Sequence, residues 1–222
     1  MITATSNKRI KWLVTLSEKA KERKKEQVFL VEGIKMFEEA DEQYIREVYV
    51  SESFLEKHGV SEKLQKVGYE TVSDEVFKKI SDTKAPQGIL CVMNQYKYTL
   101  DSLLEKEEPV LVLLEDIQDP GNLGTILRTG EGAGIDGVIM TKDTVDIYNP
   151  KTIRATMGSI YRMPFIYVDS LSEVIAALKG KNISVYAAHL AGKEYYDDFD
   201  FNKGTAFLIG NEGNGLKKET AD

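Results

Sequence analysis

Short apolar runs alternate with amphipathic stretches twice along this chain, and that pattern leaves room for little besides sheets with helices packed on them. In the first half QVFLVEG, IREVYVS, GYETV and GILCVMNQ read as strands. IKMFEEADEQ, SESFLEKHG and SDEVFKKISD read as the helices between them, and a further helix, capped by Ser6 or Asn7, runs to about Lys24. A polar, mixed stretch, YKYTLDSLLEKEE, then closes at Pro109. The second alternation has strands at PVLVLLED, DGVIMT, MPFIYVD, NISVYAAHL and TAFLIG. Its helices are NLGTILRTGEGAG, NPKTIRATMG, with Pro150 at the first position, and SLSEVIAALKG. These strands are apolar on both faces, as parallel strands covered on both sides should be. The expected class is α/β, with one domain over residues 1–97, a linker over 98–108 holding at most a helical turn, and a second domain over 109–222.

A chain of 222 residues can bury one good core or two modest ones, in keeping with that division. No stretch approaches the roughly 18 uninterrupted apolar residues of a membrane helix. The N-terminus lacks the apolar core of a signal peptide, so the expectation is a cytoplasmic protein with no membrane partner. A single cysteine, Cys91, rules out an internal disulfide. Two histidines, His58 and His189, lie far apart without cysteine partners, and no metal is expected. The net charge of −7 argues against a non-specific nucleic-acid binder, but its distribution is uneven. Residues 1–35 carry nine Lys or Arg against four Glu, a patch that could meet phosphate, with Lys8, Arg9 and Lys24 as the candidates. The bland alternative is a solvated helix face with intrahelical ion pairs.

Two glycine-rich turns follow strands in the second half: DPGNLG (119–124) and GNEGNG (210–215). In open α/β sheets ligands bind at the carboxyl ends of strands, and glycines let the backbone approach them. A literal G-x-G-x-x-G at Gly132–Gly137 follows a helix and precedes a strand, the reverse of a dinucleotide fingerprint, and reads as a helix end. No phosphate-binding G-x-x-x-x-G-K-[ST] is present. On the helix beginning near Asn122, Arg128 lies roughly 140° round from Leu123 and points away from the core. Arg128 can serve a site or simply meet solvent; Asn122 can be a helix cap; Glu212 can bond nearby backbone N–H groups; His189 reads as a packed strand-end residue.

N-L-G-T-I-L-R-T at 122–129 and G-N-E-G-N-G-L at 210–216 resemble the first and second motifs of the SpoU-type RNA 2′-O-ribose methyltransferases, within the SPOUT superfamily. YNPKTIRATMGSIYRMP (148–164) resembles that family's middle segment. The first domain, with QVFLVEG and KAPQGI, is similar to the family's accessory substrate-binding domain, itself like a ribosomal protein that binds RNA. The resemblance implies a trefoil-knotted second domain, S-adenosylmethionine as cofactor, rRNA or tRNA as substrate and a homodimer. It implies catalytic roles for Arg128, Asn122 and Glu212. It implies cofactor contacts at Gly210, Asn211, Gly213, Ala188, His189 and Leu190, and RNA contacts at Lys151, Arg154 and Ser159. The family's third motif should fall beyond Asp222, so the resemblance implies a second domain shortened at its C-terminus. The competing reading is a non-enzymatic RNA-binding protein whose second domain serves dimerisation.

Overall fold

The computed structural model describes residues 1–221. Their contacts form two compact units: Met1–Tyr96 with Asp146–Tyr161, and Lys97–Val145 with the residues from Arg162 onward. No helix among the described residues is long and apolar enough to cross a membrane.

The first unit opens with α1 (Lys8–Glu18) and α2 (Ala20–Glu26), where one helix to Lys24 was expected. The chain is extended at Lys19 (φ −120°, ψ 108°). Arg23 explains the break: the residue is 2% exposed and its side chain donates to the carbonyls of Leu16 and Ser17 at 2.6 and 3.0 Å, taking acceptors at the end of α1. Then come β1 (Val28–Glu32), α3 (Ile34–Glu39), β2 (Ile45–Ser51), α4 (Glu52–His58), α5 (Glu62–Val67), β3 (Glu70–Val72), α6 (Asp74–Ile80) and β4 (Ile89–Asn94). The sheet order is β1-β4-β2-β3, with β4 antiparallel to both neighbours and β2 parallel to β3. Ser51, Ser61 and Ser73 cap α4, α5 and α6 by accepting from backbone N–H groups three residues on. Ile10, Leu13 and Leu16 of α1 sit in the core with Val28, Tyr49, Phe77 and Val92.

The second alternation supplies α7 (Leu100–Leu103), β5 (Val110–Leu114), α8 (Pro120–Ala133), β6 (Gly137–Thr141), α9 (Pro150–Thr156), β7 (Phe165–Val168), α10 (Leu171–Gly180), β8 (Ser184–Ala187), β9 (Thr205–Ile209) and α11 (Lys218–Ala221). All five strands are parallel, in the order β7-β6-β5-β9-β8. Residues 98–108 do not hang free: Leu103 is buried against Leu111, Leu113 and Ile139. α9 departs from the expected grouping. Although it lies between β6 and β7 in sequence, it packs on β1, and Tyr148, just ahead of it, stacks on Phe29 with ring centroids 4.6 Å apart. Asp146 binds Arg23 at 2.7 Å in the same unit.

Candidate active site

β5 and β9 are hydrogen-bonded neighbours, with Leu114 opposite Ile209 and the Glu115 N–H donating to the Ile209 carbonyl at 2.9 Å. From β5 the chain moves to β6 on one side, whereas β9 lies on the other. The crevice above these strand ends is therefore where the strand order reverses. Both glycine-rich turns emerge there. After β5, Asp119 rather than Asn122 caps α8, accepting from the Asn122 N–H at 2.9 Å, with Pro120 in the first turn. Asn122 thus has its side chain free of capping. The helix ends at Gly134 in the left-handed region (φ 77°), as the reversed glycine pattern required.

Glu212 ties the two turns together. One carboxylate oxygen accepts from the Gln118 N–H at 3.0 Å; the other accepts from the Asp119 N–H at 3.0 Å and the Asn122 side-chain amide at 3.1 Å. Partial burial works to raise the pKa of this carboxyl, but the N–H donors outweigh it and hold the group at about 2. Asn211 fixes the second turn from within. Its Oδ1 accepts from the Gly213 and Asn214 N–H groups at 2.9 Å each, and its Nδ2 donates to the Asp116 carbonyl at 2.7 Å.

The sequence shows two acids directly after β5 but assigns them no role. Glu115 is 3% exposed and accepts from the Lys217 backbone N–H at 2.7 Å and from the Thr220 hydroxyl. Asp116 has a left-handed backbone (φ 54°) and binds the Lys217 ammonium at 2.8 Å. The Asp116 N–H donates to the Thr141 hydroxyl, which in turn donates to Asp116 Oδ1. Burial works to raise the Asp116 carboxyl, but Lys217 and Thr141 more than offset it and its pKa is lowered. A non-glycine residue with positive φ, held by Lys217, Thr141 and Asn211 at a strand end, is a recurrent sign of a functional turn. The available signal was acidic residues placed directly after an apolar strand.

The remaining candidates divide. Arg128 is exposed on α8, as its helical position required. A cavity of about 690 Å³ runs beside α8 and the ends of β8 and β9. Ala188 and His189 line it with Ile209, Thr125 and Tyr186, whereas Gly210, Asn211, Gly213 and Leu190 are not part of its wall. His189 is not packed: β8 ends at Ala187, and the imidazole is exposed, its Nδ1 accepting from the Ala191 N–H at 3.2 Å. Among the RNA candidates, Lys8, Lys24 and Lys151 are exposed, while Arg9 pairs with Glu47 and Arg154 with Asp82. Ser159 is 1% exposed, which makes it a packing residue with no surface to offer RNA.

Residues 109–222 match the SpoU rRNA Methylase family, just over half the chain. The chain belongs to the SpoU rRNA methylase family. Ahead of this region, residues 7–91 match the MRM3-like substrate binding domain. Among SpoU relatives, the 23S rRNA (guanosine(2553)-2′-O)-methyltransferase RlmP of Bacillus subtilis is 30% identical, over 97% of this chain and 84% of its own length. The AdoMet-bound rRNA methyltransferase of Sinorhizobium meliloti superposes with a TM-score of 0.87 at 30% identity, covering 99% of this chain and 84% of that one. The SpoU methyltransferase AviRb of Streptomyces viridochromogenes, in complex with AdoMet, gives 0.84 at 25% identity, over 97% and 85%. The SpoU fold, an α/β methyltransferase unit preceded by a substrate-binding domain, accounts for nearly the whole chain.

Proposed function

We propose that this chain is an S-adenosylmethionine-dependent methyltransferase acting on a ribose 2′-OH of rRNA or tRNA in the cytoplasm. The observation that carries this reading is the clasp at the strand-order reversal. There Glu212 holds the first-motif turn by two backbone N–H groups and by Asn122, one helical stretch from the exposed Arg128. The non-enzymatic alternative is the poorer account, because relatives named as methyltransferases align along nearly all of the chain.

The residues at the ends of β8 and β9 suit the cofactor. Small and apolar walls at Ala188 and Ile209, with an aromatic ring from Tyr186, match the adenosine part of the cofactor. When bound, S-adenosylmethionine supplies a methyl group already activated by its sulfonium, so the protein is left with alignment and charge. Arg128 binds the phosphate next to the target ribose and stabilises the oxygen as its proton leaves to solvent. Its guanidinium stays protonated throughout and is no base. Glu212, with both oxygens engaged, positions Asn122 and the turn rather than meeting substrate. Two copies pair through the methyltransferase unit, as the resemblance to the SpoU-type enzymes implies.

The test is transfer of labelled methyl from S-adenosylmethionine to an rRNA transcript, with calorimetric titration of the cofactor in parallel. Arg128→Ala should bind cofactor normally and lose about 10²–10³-fold in rate, the range for removing one charge-stabilising group. A variant retaining the wild-type rate overturns the role of Arg128. Wild-type protein that neither binds cofactor nor methylates RNA overturns the enzyme reading.

A further inference from the structure

The first unit carries a second cavity of about 690 Å³, bounded by α4, the start of α6 and the loop that leads into β4. Its floor is close-packed backbone and ring. A Cβ at Gly88, where φ is +82°, would lie 2.7 Å from both Phe54 Cβ and Ser51 Oγ, so this wall is packed tight. Gln87, part of the cavity wall, is held by a network from outside the lining. Glu32, at the end of β1, accepts from the Ser81 hydroxyl at 2.8 Å, from the Thr83 hydroxyl at 3.1 Å and from the Gln87 N–H at 3.4 Å. Gln87 Oε1 accepts in turn from the Ile34 N–H at 3.3 Å. On the other side Ser53 donates to Asp74 Oδ1 at 2.7 Å, joining α4 to α6.

The lining offers three kinds of contact together. His58 is exposed, with its ring on Phe54 at 4.8 Å between centroids and 32° between planes, which forms an aromatic shelf. Gln87, Ser53 and Asp74 offer donors and acceptors. Lys57 and Lys78 are exposed cations on α4 and α6, in a molecule whose net charge is −7. A flat ring to stack on, neighbouring hydrogen-bonding groups and cations set for phosphate are what an unpaired nucleotide requires. RNA is read mostly through such unstacked bases.

We infer that this cavity takes one unpaired nucleotide of the substrate RNA, its base on the His58–Phe54 shelf against Gln87 and Asp74 and its phosphates on Lys57 and Lys78. The inference rests on the RNA reading above and deepens it. The site lies wholly within the first unit, and its residues play no part in the clasp at Glu212.

The test is amide NMR on the full chain. Each of the four nucleoside 5′-monophosphates and inorganic phosphate is titrated separately, and binding of a short single-stranded oligoribonucleotide is followed by anisotropy. At least one monophosphate should shift the amides of Ser53, Phe54 and Gln87, and inorganic phosphate at the same concentration should not. Lys57→Gln with Lys78→Gln should lower the salt slope of oligoribonucleotide binding by about 1.4, since each single-strand phosphate contact contributes about 0.7. Gln87→Ala, a change at the rim, should weaken binding about tenfold and leave that slope unchanged. The inference is overturned if the oligoribonucleotide binds while these amides stay still, or if phosphate alone reproduces the shifts. If the oligoribonucleotide does not bind at all, the RNA reading itself fails and this inference goes with it.

Discussion

Glu212 spends both carboxylate oxygens on N–H donors, so its contribution depends on its charge. Its pKa lies at about 2 in the fold, against an ordinary value of 4.5. A depressed carboxyl stabilises the fold fully above its unfolded pKa, and that contribution is lost as pH falls through the folded value. Glu212→Gln should therefore melt below wild type at neutral pH, with the gap closing as pH drops from roughly 5 to 2. Melting curves across that range decide it: a gap that does not change with pH means the ionised carboxylate is not what holds the turns. Nearby, Gly210 has no room for a side chain, because a Cβ would lie 2.3 Å from the Gly215 carbonyl carbon and 2.4 Å from the Leu216 nitrogen. Gly210→Ala should cost about 2–3 kcal/mol by forcing the backbone apart. Gly213→Ala meets only the Asn211 Oδ1, at 3.6 Å, and should be nearly neutral; denaturant unfolding of the two variants separates them. The meeting of Asn122 with Glu212 was foreshadowed in sequence because both fall within short motifs on neighbouring strand ends. That of Glu115 with Lys217 was not, since their bond spans 102 positions and exists only because β5 and β9 are neighbours.

Elements were read well where local chemistry decides them and poorly where a distant residue does. α8 carries its own cap, its first-turn proline and its terminal glycine, so its existence needed no tertiary knowledge, although its start fell at Pro120 rather than Asn122. Asp119→Ala should cost about 1 kcal/mol, the usual worth of an N-cap, and thermal unfolding measures it. It leaves Glu212 its donor at this position, because the Asp119 N–H belongs to the backbone and survives the change. The break between α1 and α2 is the opposite case. Helical pattern continues through Lys19, and what interrupts it is Arg23, whose buried guanidinium reaches the α1 carbonyls and Asp146, 123 positions away. Removing Arg23 leaves those carbonyls and Asp146 Oδ2 without their donor, so Arg23→Ala should destabilise by about 3 kcal/mol. A loss under about 1 kcal/mol in denaturant unfolding would mean the pair behaves as an exposed one.

At the scale of the molecule, two rounds of strand and helix announced two α/β units, and the apolar strands of the second announced a parallel sheet. The assignment of residues 146–161 to the first unit was hidden. Sequence order places α9 between β6 and β7, and only the tertiary pairing of Tyr148 with Phe29 and of Asp146 with Arg23 moves it. Charge follows a similar rule: the net value of −7 opposes RNA, so affinity must come from local basic surface rather than from the whole. Near the N-terminus, Lys8 and Lys24 are exposed, while Arg9 is partly spent on Glu47 at 3.3 Å. Neutralising Lys8 and Lys24 together should flatten the dependence of log affinity on log salt by about 1.4 for single-stranded RNA, and Arg9→Gln should add less than either lysine. Anisotropy titrations over a salt series measure all three. An unchanged slope in the double variant would return this basic end to the bland reading, a solvated helix face with pairs such as Lys25–Glu22, and would leave the cavity beside α4 to supply the phosphate contacts.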